Sequence, residues 1–430
     1  MNSLINKYKE ILFGSKFNVD LLWNLGSFSL CGIIGVLFNI IIINFYDSAT
    51  LGFFNQVYAV FIFLSQISTW GLHLSVQKFI PQFSNISKHT KLILTSAFTT
   101  TFIFSFFITV VVFFFNKIPG RIFNSESVSE GFIYAVPGLF LFSLNKLLLS
   151  YLNGMRKMIA YAIFNFLRFL FMLLLLITII IVELQPKFIT SIFSIPELLL
   201  FGLLLIKTYK SFGFSTLKRF FLFCKIHFRF GSNAALGHIV LDLNSKVDVI
   251  ILGIFLHDKI VGIYSFAAFI VDGLLQLFYV FRTNINPLIT DAFYNKSSID
   301  LEILIKRYLK NFYKFFIVIG IIAILIYPVF LYVFKIFDFF WLNYLVFSIL
   351  TIGCILSSGY IPFQMIFNQV GKPRMQSIFL LIVFITNLIL NLVLIPVLGI
   401  IGSALATSLT FVVQMFLLKK FTFNTININI

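Results

Sequence analysis

Charged residues are scarce in this chain of 430 residues, and acidic residues are the scarcest. Asp, Glu, Lys and Arg make up 11% of the sequence, whereas soluble domains carry about 25%. Hydrophobic residues supply 60%, Phe alone occupies 60 positions, and the mean hydropathy is +1.03. A chain of this composition has too few polar residues to form a water-exposed surface around a folded core. The composition excludes a soluble enzyme, a nucleic-acid-binding module and a disordered protein, and it indicates a polytopic membrane protein with no nucleic-acid partner.

Cysteines and catalytic motifs are equally sparse. Cys31, Cys224 and Cys354 lie far apart in the sequence, so we expect neither a disulfide framework nor a zinc site. The nucleotide-binding motif Gly-x-x-x-x-Gly-Lys-Ser/Thr does not occur, because the Gly-Lys pair at 371–372 is followed by proline. No two histidines have the spacing of a zinc protease. We therefore expect no cofactor, no metal and no ATP hydrolysis, and we predict a membrane transporter rather than an enzyme.

Long apolar runs predict about twelve transmembrane helices, because a helix needs about 20 apolar residues to cross a bilayer. The predicted fold class is therefore an all-α polytopic membrane protein. The predicted spans are 21–45, 53–77, 92–115, 131–152, 159–182, 188–206, 232–256, 261–281, 311–334, 341–366, 376–397 and 400–418.

The order of these runs predicts a simple domain organisation. Residues 1–20 are predicted as a cytoplasmic interfacial helix, 21–206 as an N-terminal six-helix bundle and 207–231 as a basic cytoplasmic linker. Residues 232–418 are predicted as a C-terminal six-helix bundle, and 419–430 as a cytoplasmic tail. Short connections between the spans favour antiparallel neighbours.

Basic residues are unevenly divided between the two sides of the predicted membrane protein. One side, with both termini and the loops 207–231 and 282–310, carries 23 Lys and Arg residues. The other side carries five, at Lys117, Arg121, Lys187, Lys259 and Lys335. Cytoplasmic loops carry the excess of Lys and Arg in membrane proteins. We therefore predict that both termini are cytoplasmic.

Two halves of the chain repeat each other weakly. The segment LGFF at 51–54, after the first span, matches VGIY at 261–264, after the seventh. The segment 153–158 before span five resembles 369–375 before span eleven. Together these matches predict two related six-helix halves, and repeated halves usually frame a central site in transporters.

Ionisable residues lie well inside several predicted spans. At the centre of a lipid-facing helix each would cost about 2.5–3.5 kcal/mol. Such residues must therefore face protein or water, either in a hydrophilic cavity or in structural ion pairs. The six residues concerned are Arg168, Glu197, Asp242, Lys246, Asp248 and Asp272.

Arg168, Lys246, Lys146 and Asn165 are candidates for binding an anionic head group, because Arg and Lys hold phosphate through charge-assisted hydrogen bonds. Lys146, however, lies about two turns from the end of span four and can instead snorkel to the interface. Lys246 can instead pair with Asp242, one helical turn away in span seven.

Span six contains a proline directly before an acidic residue. Pro196, in the middle of this span, predicts a kink beside Glu197. A kink next to a carboxylate is consistent either with a moving element or with a protonated structural Glu.

Several segments resemble a known family. Residues 52–58, 64–66 and 71–81 resemble the O-antigen (polysaccharide repeat-unit) flippase family. Further segments resemble the wider superfamily of multidrug, oligosaccharidyl-lipid and polysaccharide exporters, which includes lipid II flippases. These segments are 246–253, 262–264, 371–373, 387–391, 395–396, 399–402 and 406–407.

This resemblance implies a V-shaped pair of six-helix bundles around a central cavity. It implies a flippase that carries undecaprenyl-diphosphate-linked O-antigen repeat units from the cytoplasmic to the periplasmic leaflet of the bacterial inner membrane, by alternating access. The partners implied are that lipid-linked oligosaccharide, membrane lipids, a polymerase and a chain-length regulator in lipopolysaccharide assembly. The alternatives are a multidrug or cation antiporter of the same fold and a polytopic O-antigen polymerase.

The resemblance also implies a place for ion coupling. Lipid II flippases build a sodium site from the corresponding spans seven, eleven and twelve, and matching their motifs selects Asp248, Asn387, Asn391 and Thr407. The sequence departs from that branch at Asn391, where a second acidic residue can occur. Three interpretations of these residues therefore stay open: coupling to sodium, coupling to protons, and a structural hydrogen-bond cluster without coupling. The acidic residues Asp242 and Asp272 extend this cation-coupling candidate set in the second half.

Overall fold

The computed structural model describes residues 16–83, 87–213, 216–295 and 298–429, and these residues form helices and connections without any strand. The predicted all-α fold is therefore confirmed. Of the interfacial helix predicted over residues 1–20, the part up to residue 15 lies outside the described residues. Residues 16–20 begin the first described helix, α1 (Lys16–Phe45).

The chain divides into two compact units. The first contains the residues up to Asn39 together with Val60–Ile239, and the second contains Ile40–Ala59 together with Val240–Ile430. Helices α1 and α2 (Ser48–Thr69) therefore each contribute residues to both units.

The first unit is organised around one long central helix. Its helices after α2 are α3 (Leu72–Gln82), α4 (Ser87–Phe114), α5 (Ile118–Ile122), α6 (Glu126–Gly154), α7 (Met158–Ile181), α8 (Ile195–Thr208) and α9 (Leu217–Asn244). Helix α6 packs against α3, α4 and α8 through a core that includes Leu72, Ile93 and Leu147. Ser125 caps this helix by accepting a hydrogen bond from the Val128 N–H, at 3.2 Å.

The predicted mid-helix kink at Pro196 is wrong, because α8 begins only at Ile195. The preceding residues Pro186–Phe193 form a 3₁₀ helix, and Pro196 lies in the first turn of α8 rather than in its middle. Proline is well tolerated there, because the first N–H groups of a helix have no partner within it. Glu197 consequently lies at a helix N-terminus, where the helix dipole favours a negative charge.

The second unit ends in a long, interrupted helix. Its helices after α2 are α10 (Val247–Phe255), α11 (Asp258–Asn295), α12 (Ser298–Val333), α13 (Phe340–Ser357), α14 (Ile366–Gln369) and α15 (Pro373–Ile426). Within α15, Gly399 has φ +58° and ψ −133°, outside the helical range. Glycine reaches this backbone conformation without the clash that a Cβ would cause. The predicted spans 376–397 and 400–418 thus lie on the two sides of Gly399.

Ten helical segments among the described residues are long and apolar enough to cross a membrane. The protein is therefore a multi-pass membrane protein. The predicted span 232–256 is absent from the ten because α9 ends at Asn244 and α10 begins at Val247. The segments are Trp23–Phe45, Ser48–Thr69, Lys88–Phe114, Glu126–Gly154, Met158–Ile181, Pro186–Ser211, Asp258–Tyr279, Ile299–Val333, Phe340–Ser357 and Pro373–Ile426.

Within the second unit, the two copies of the repeated glycine motif contact each other. A Cβ added to Gly52 would lie 1.7 Å from the carbonyl oxygen of Asp258, and one added to Gly262 would lie 1.9 Å from that of Ser48. Only glycine therefore allows α2 and α11 to cross at this distance. The Gln56 side chain donates a hydrogen bond to Asp258 Oδ1, at 3.0 Å, beside the crossing.

Candidate functional site

An ion pair inside the first unit joins Arg168 of α7 to Glu197 of α8. Arg168 Nε lies 2.6 Å from Glu197 Oε1, and the side chains are 14% and 5% exposed. Arg168 Nη2 donates to Oε2, at 3.2 Å. Asn145 of α6 donates to the same Oε2, at 2.7 Å, and to the backbone carbonyl of Glu197, at 2.8 Å. Three helices thus hold one carboxylate, so both charges predicted within these spans are compensated by protein.

A second cation lies beside the same cluster. The ring of Phe142 has the Arg168 guanidinium carbon 4.9 Å and the Lys146 Nζ 5.8 Å from its centroid. Lys146 donates a hydrogen bond to Gln66 Oε1, at 2.9 Å. Because Gln66 is neutral, this bond orients the Lys146 ammonium without cancelling its charge. The first unit therefore combines two cations and an aromatic ring, a combination able to bind a phosphate group and to stack on a sugar.

Asn165 lies one turn before Arg168 on α7. Its side-chain amide donates to the Tyr161 carbonyl of its own helix, at 2.9 Å. No hydrogen bond among the described residues joins this side chain to Lys146 or Arg168. The structure thus brings Arg168 and Lys146 together around Phe142 and leaves Asn165 at the next turn.

Lys246 of the second unit lies between two helices rather than within one. It precedes α10 with φ −134° and ψ 1°, after α9 has ended at Asn244. The structure therefore corrects the expected stacking of Asp242 and Lys246 on successive turns of one helix. The Lys246 ammonium lies 4.0 Å from Asp272 Oδ2 of α11 and 5.5 Å from the centroid of the Tyr58 ring. Asp242 accepts a hydrogen bond from the Ser245 hydroxyl through its backbone carbonyl, at 2.8 Å.

Asp248 has both carboxylate oxygens engaged. The Val249 N–H donates to Oδ1, at 2.8 Å, and the Tyr264 hydroxyl donates to Oδ2, at 2.6 Å. The Tyr264 oxygen is also 3.4 Å from the Thr407 hydroxyl. Tyr264 thus connects Asp248 to Thr407. Sequence reasoning missed it as a site residue, although it ends the repeated segment VGIY.

Asn387 and Asn391 belong to a second, buried network. Asn391 donates to Asn387 Oδ1, at 2.8 Å, and Asn387 donates to Asn244 Oδ1, at 3.3 Å. The Ser403 hydroxyl donates to Asn391 Oδ1, at 3.0 Å, and the Thr410 hydroxyl to Asn387 Oδ1, at 3.4 Å. The amide oxygens that a cation would need accept hydrogen bonds here. Tyr264 thus links Asp248 to Thr407, and the side-chain amides link Asn387 to Asn391. Within the described part of the chain, no cluster of three His, Cys, Asp or Glu residues suits a metal.

Outside the candidate spans, His227 of α9 is buried against α3. Its Nδ1 lies 2.7 Å from the Ser75 hydroxyl oxygen, and its ring meets Phe79 edge-on at 5.9 Å. Burial lowers the pKa of His227 from 6.5 to about 4, because the apolar surroundings disfavour the charged imidazolium. This histidine is therefore neutral at physiological pH and attaches α9 to the first unit.

Similarity to solved structures shows which known fold this chain has. The lipid II flippase MurJ, in an inward closed conformation, has a TM-score of 0.75 at 17% identity, covering 94% of this chain and 87% of that chain. An inward-facing multidrug resistance transporter of the MATE family has a TM-score of 0.70 at 13% identity, covering 90% and 96%. A variant of the Vibrio cholerae MATE transporter VcmN has a TM-score of 0.63 at 11% identity, covering 95% and 97%. The chain therefore shares its fold with a lipid II flippase and with MATE transporters.

Sequence comparison identifies the family. The profile of the family described as polysaccharide biosynthesis protein matches residues 20–293, well over half of the chain. This chain belongs to that family. No curated protein matches the sequence.

Proposed function

We propose that this protein is a flippase for undecaprenyl-diphosphate-linked O-antigen repeat units. It would carry them by alternating access from the cytoplasmic to the periplasmic leaflet of a bacterial inner membrane, with both of its own termini in the cytoplasm. Membership of a polysaccharide biosynthesis family and the fold shared with a lipid II flippase support the proposal. A polymerase and a chain-length regulator would act on the delivered repeat units.

The cluster of Lys146, Arg168 and Phe142 is the observation that carries this proposal. A diphosphate carries several anionic oxygens, which a planar guanidinium can bind two at a time and an ammonium can bind as a point charge. A sugar presents apolar C–H faces, which an aromatic ring can cover. The named side chains carry two positive charges, on Lys146 and Arg168, and one negative charge, on Glu197. Two cations beside one aromatic ring are suited to an anionic head group that carries a sugar.

Loss of either cation tests the proposal. Inside-out vesicles are loaded with the lipid-linked repeat unit. Lys146→Gln and Arg168→Gln should each weaken substrate binding, and with it transport at low substrate concentration, roughly ten- to hundredfold. This factor corresponds to a lost charge-assisted hydrogen bond of about 1.5–3 kcal/mol. Lys146→Arg should restore most of the activity. Transport is measured as the appearance of the sugar on the luminal side. Lys187→Gln is the matched control, because Lys187 pairs with Glu130 at a half-exposed position of the same unit.

A double variant separates a substrate role from a structural one. If Arg168 serves only to neutralise Glu197, Arg168→Gln/Glu197→Gln should transport as well as the wild type, because a removed ion pair leaves no buried charge behind. Our proposal instead expects the double variant to transport as poorly as Arg168→Gln. Recovery in the double variant, with unchanged transport in Lys146→Gln, would refute the head-group site.

Cation coupling through Asp248 is a second part of the proposal. A carboxylate can take up a proton or, with the oxygens of Asn387, Asn391 and Thr407, a sodium ion. In vesicles with an imposed sodium or proton gradient, Asp248→Asn should abolish the response, since it removes the negative charge. Tyr264→Phe is the matched variant, because it removes the hydrogen bond to Asp248 and leaves the carboxylate. A full gradient response in Asp248→Asn would show that coupling lies elsewhere, and no response in the wild type would show that transport is not coupled to either cation.

A multidrug or cation antiporter is the second candidate, because the MATE transporters share the fold and Asp242, Asp248 and Asp272 place acidic groups in the second unit. Net export of a small organic cation, without transport of the lipid-linked sugar, would favour this candidate. If the protein is instead a polymerase, its loss should leave single repeat units accumulating in the outer leaflet, whereas loss of a flippase leaves them in the inner leaflet.

A further inference from the structure

A groove of about 490 Å³ lies between α11 and α12 of the second unit. Its volume falls within the range of about 300–1,000 Å³ that is usual for ligand pockets. Four of its seven residues are Phe or Tyr, so a flat or flexible apolar group suits it best. The lining residues are Phe281, Ile285, Leu288, Tyr308, Asn311, Phe312 and Phe315.

The groove lies where α12 enters the apolar part of its span. From Phe315 to Val333 the helix has no charged residue, whereas Lys314 and the turns before it are rich in Lys and Arg. Helix α12 has 36 residues and is therefore about 54 Å long, well beyond the hydrocarbon core of about 30 Å. One end of the groove consequently reaches the hydrocarbon region, and the other end lies at the level of lipid head groups.

Positive charge borders the groove along its α12 side. Asn311 lines the groove, and Arg307 and Lys314 lie one turn before and after it on the same side of α12. Both basic side chains are exposed, and within the described ranges neither forms an ion pair. The nearby Lys306 is different, because it pairs with Glu302 at 2.5 Å. The edge of the groove is therefore suited to an anion.

We propose that this groove binds an anionic phospholipid. One hydrocarbon chain lies along Phe281, Phe312 and Phe315, and the phosphate is held by Arg307 and Lys314 with the Asn311 amide as a further donor. A zwitterionic lipid would bring its own ammonium group next to these two cations and bind less well. The site is separate from the transport cluster in the first unit, so it stands whether or not the proposed transport function is correct.

Photo-cross-linking to lipid tests the site directly. The full-length protein, with p-benzoylphenylalanine in place of Phe315, is reconstituted into vesicles of equal parts phosphatidylglycerol and phosphatidylcholine, irradiated, and analysed by mass spectrometry. We expect phosphatidylglycerol to be enriched roughly five- to thirtyfold, which corresponds to about 1–2 kcal/mol for two basic residues near a membrane surface. The matched control replaces Ile317, which is also exposed and lies on the opposite side of α12; there the two lipids should cross-link in their bulk ratio.

Charge removal and salt complete the test. Arg307→Gln/Lys314→Gln should lower the enrichment at position 315 to the bulk ratio while total cross-linking stays the same. Higher ionic strength should lower the enrichment in the protein without these substitutions, because screening weakens exposed charges. Equal lipid ratios at positions 315 and 317, or an enrichment that survives both the double substitution and high salt, would overturn the proposal.

Discussion

At the scale of single residues, the sequence predicts that charges inside the spans must be compensated but not by which partner. Arg168 pairs with Glu197 and Lys246 lies beside Asp272, and in both cases the partner comes from a different helix. The contact is set by how helices pack, which spacing along one helix does not reveal. Tyr264 is not predicted as a site residue for a related reason. Its ring contributes to an apolar run in the sequence, and only the folded structure shows that its hydroxyl donates a hydrogen bond to Asp248.

His227 should make stability depend on pH. Its pKa is about 4 in the folded protein and 6.5 when unperturbed, so the unfolded chain binds the proton more tightly. The histidine therefore contributes fully above pH 6.5, and about 3 kcal/mol of that contribution is lost as the pH falls from 6.5 to 4. Thermal unfolding in detergent should show a fall in this pH range that is reduced in His227→Gln. A fall of equal size in this variant would assign the pH dependence to other groups.

At the scale of helices, the apolar runs predict most elements, and the interruptions are less predictable. The break between α9 and α10 at Ser245 and Lys246 has no glycine or proline to indicate it. The break at Gly399 has a glycine, and the two predicted spans were placed on either side of it. The predicted kink at Pro196 is wrong, because the 3₁₀ segment Pro186–Phe193 occupies residues expected in the helix and Pro196 therefore lies in the first helical turn.

Two glycines on α11 should respond in opposite ways to the same substitution. Gly262→Ala places a methyl group against the Ser48 carbonyl, so it should destabilise the protein by about 1–3 kcal/mol or more. Gly273→Ala meets nothing within 4 Å and should stabilise the helix by up to about 1 kcal/mol, since alanine is the better helix former. Melting temperature and the yield of folded protein in detergent measure both effects. Equal effects of the two substitutions would mean that α2 and α11 do not cross closely at Gly262.

At the scale of the whole molecule, composition predicts a multi-pass membrane protein, but not which residues belong to which compact unit. The bundle boundaries 21–206 and 232–418, on either side of the basic linker, stay predictions. The compact units exchange segments: Ile40–Ala59 belongs to the second unit, and the first unit continues to Ile239. Such an exchange depends on contacts between residues distant in sequence, which a composition profile does not contain.

The uneven distribution of Lys and Arg predicts the orientation of the protein in the membrane. In a protein without its native cysteines, a cysteine at Ser127 should react with a membrane-impermeant thiol reagent added from the periplasmic side, and one at Ser211 only after the cytoplasmic side is opened. Reaction of each position before and after lysis is the measurement. Opposite labelling at either position would contradict the twelve-span topology.

The crossing of α2 and α11 also determines how long one part of the second unit waits for its packing partner during synthesis. Gln56 and Asp258, which meet beside the two glycines, are separated by 202 positions in the chain. At a synthesis rate of about 5–20 residues per second, α2 is made roughly 10–40 seconds before its partner emerges from the ribosome. During that interval, the side of α2 that carries Gly52 cannot yet contact α11. The part of the second unit formed by Ile40–Ala59 therefore stays without its packing partner from α11 until the later half of the chain has been made.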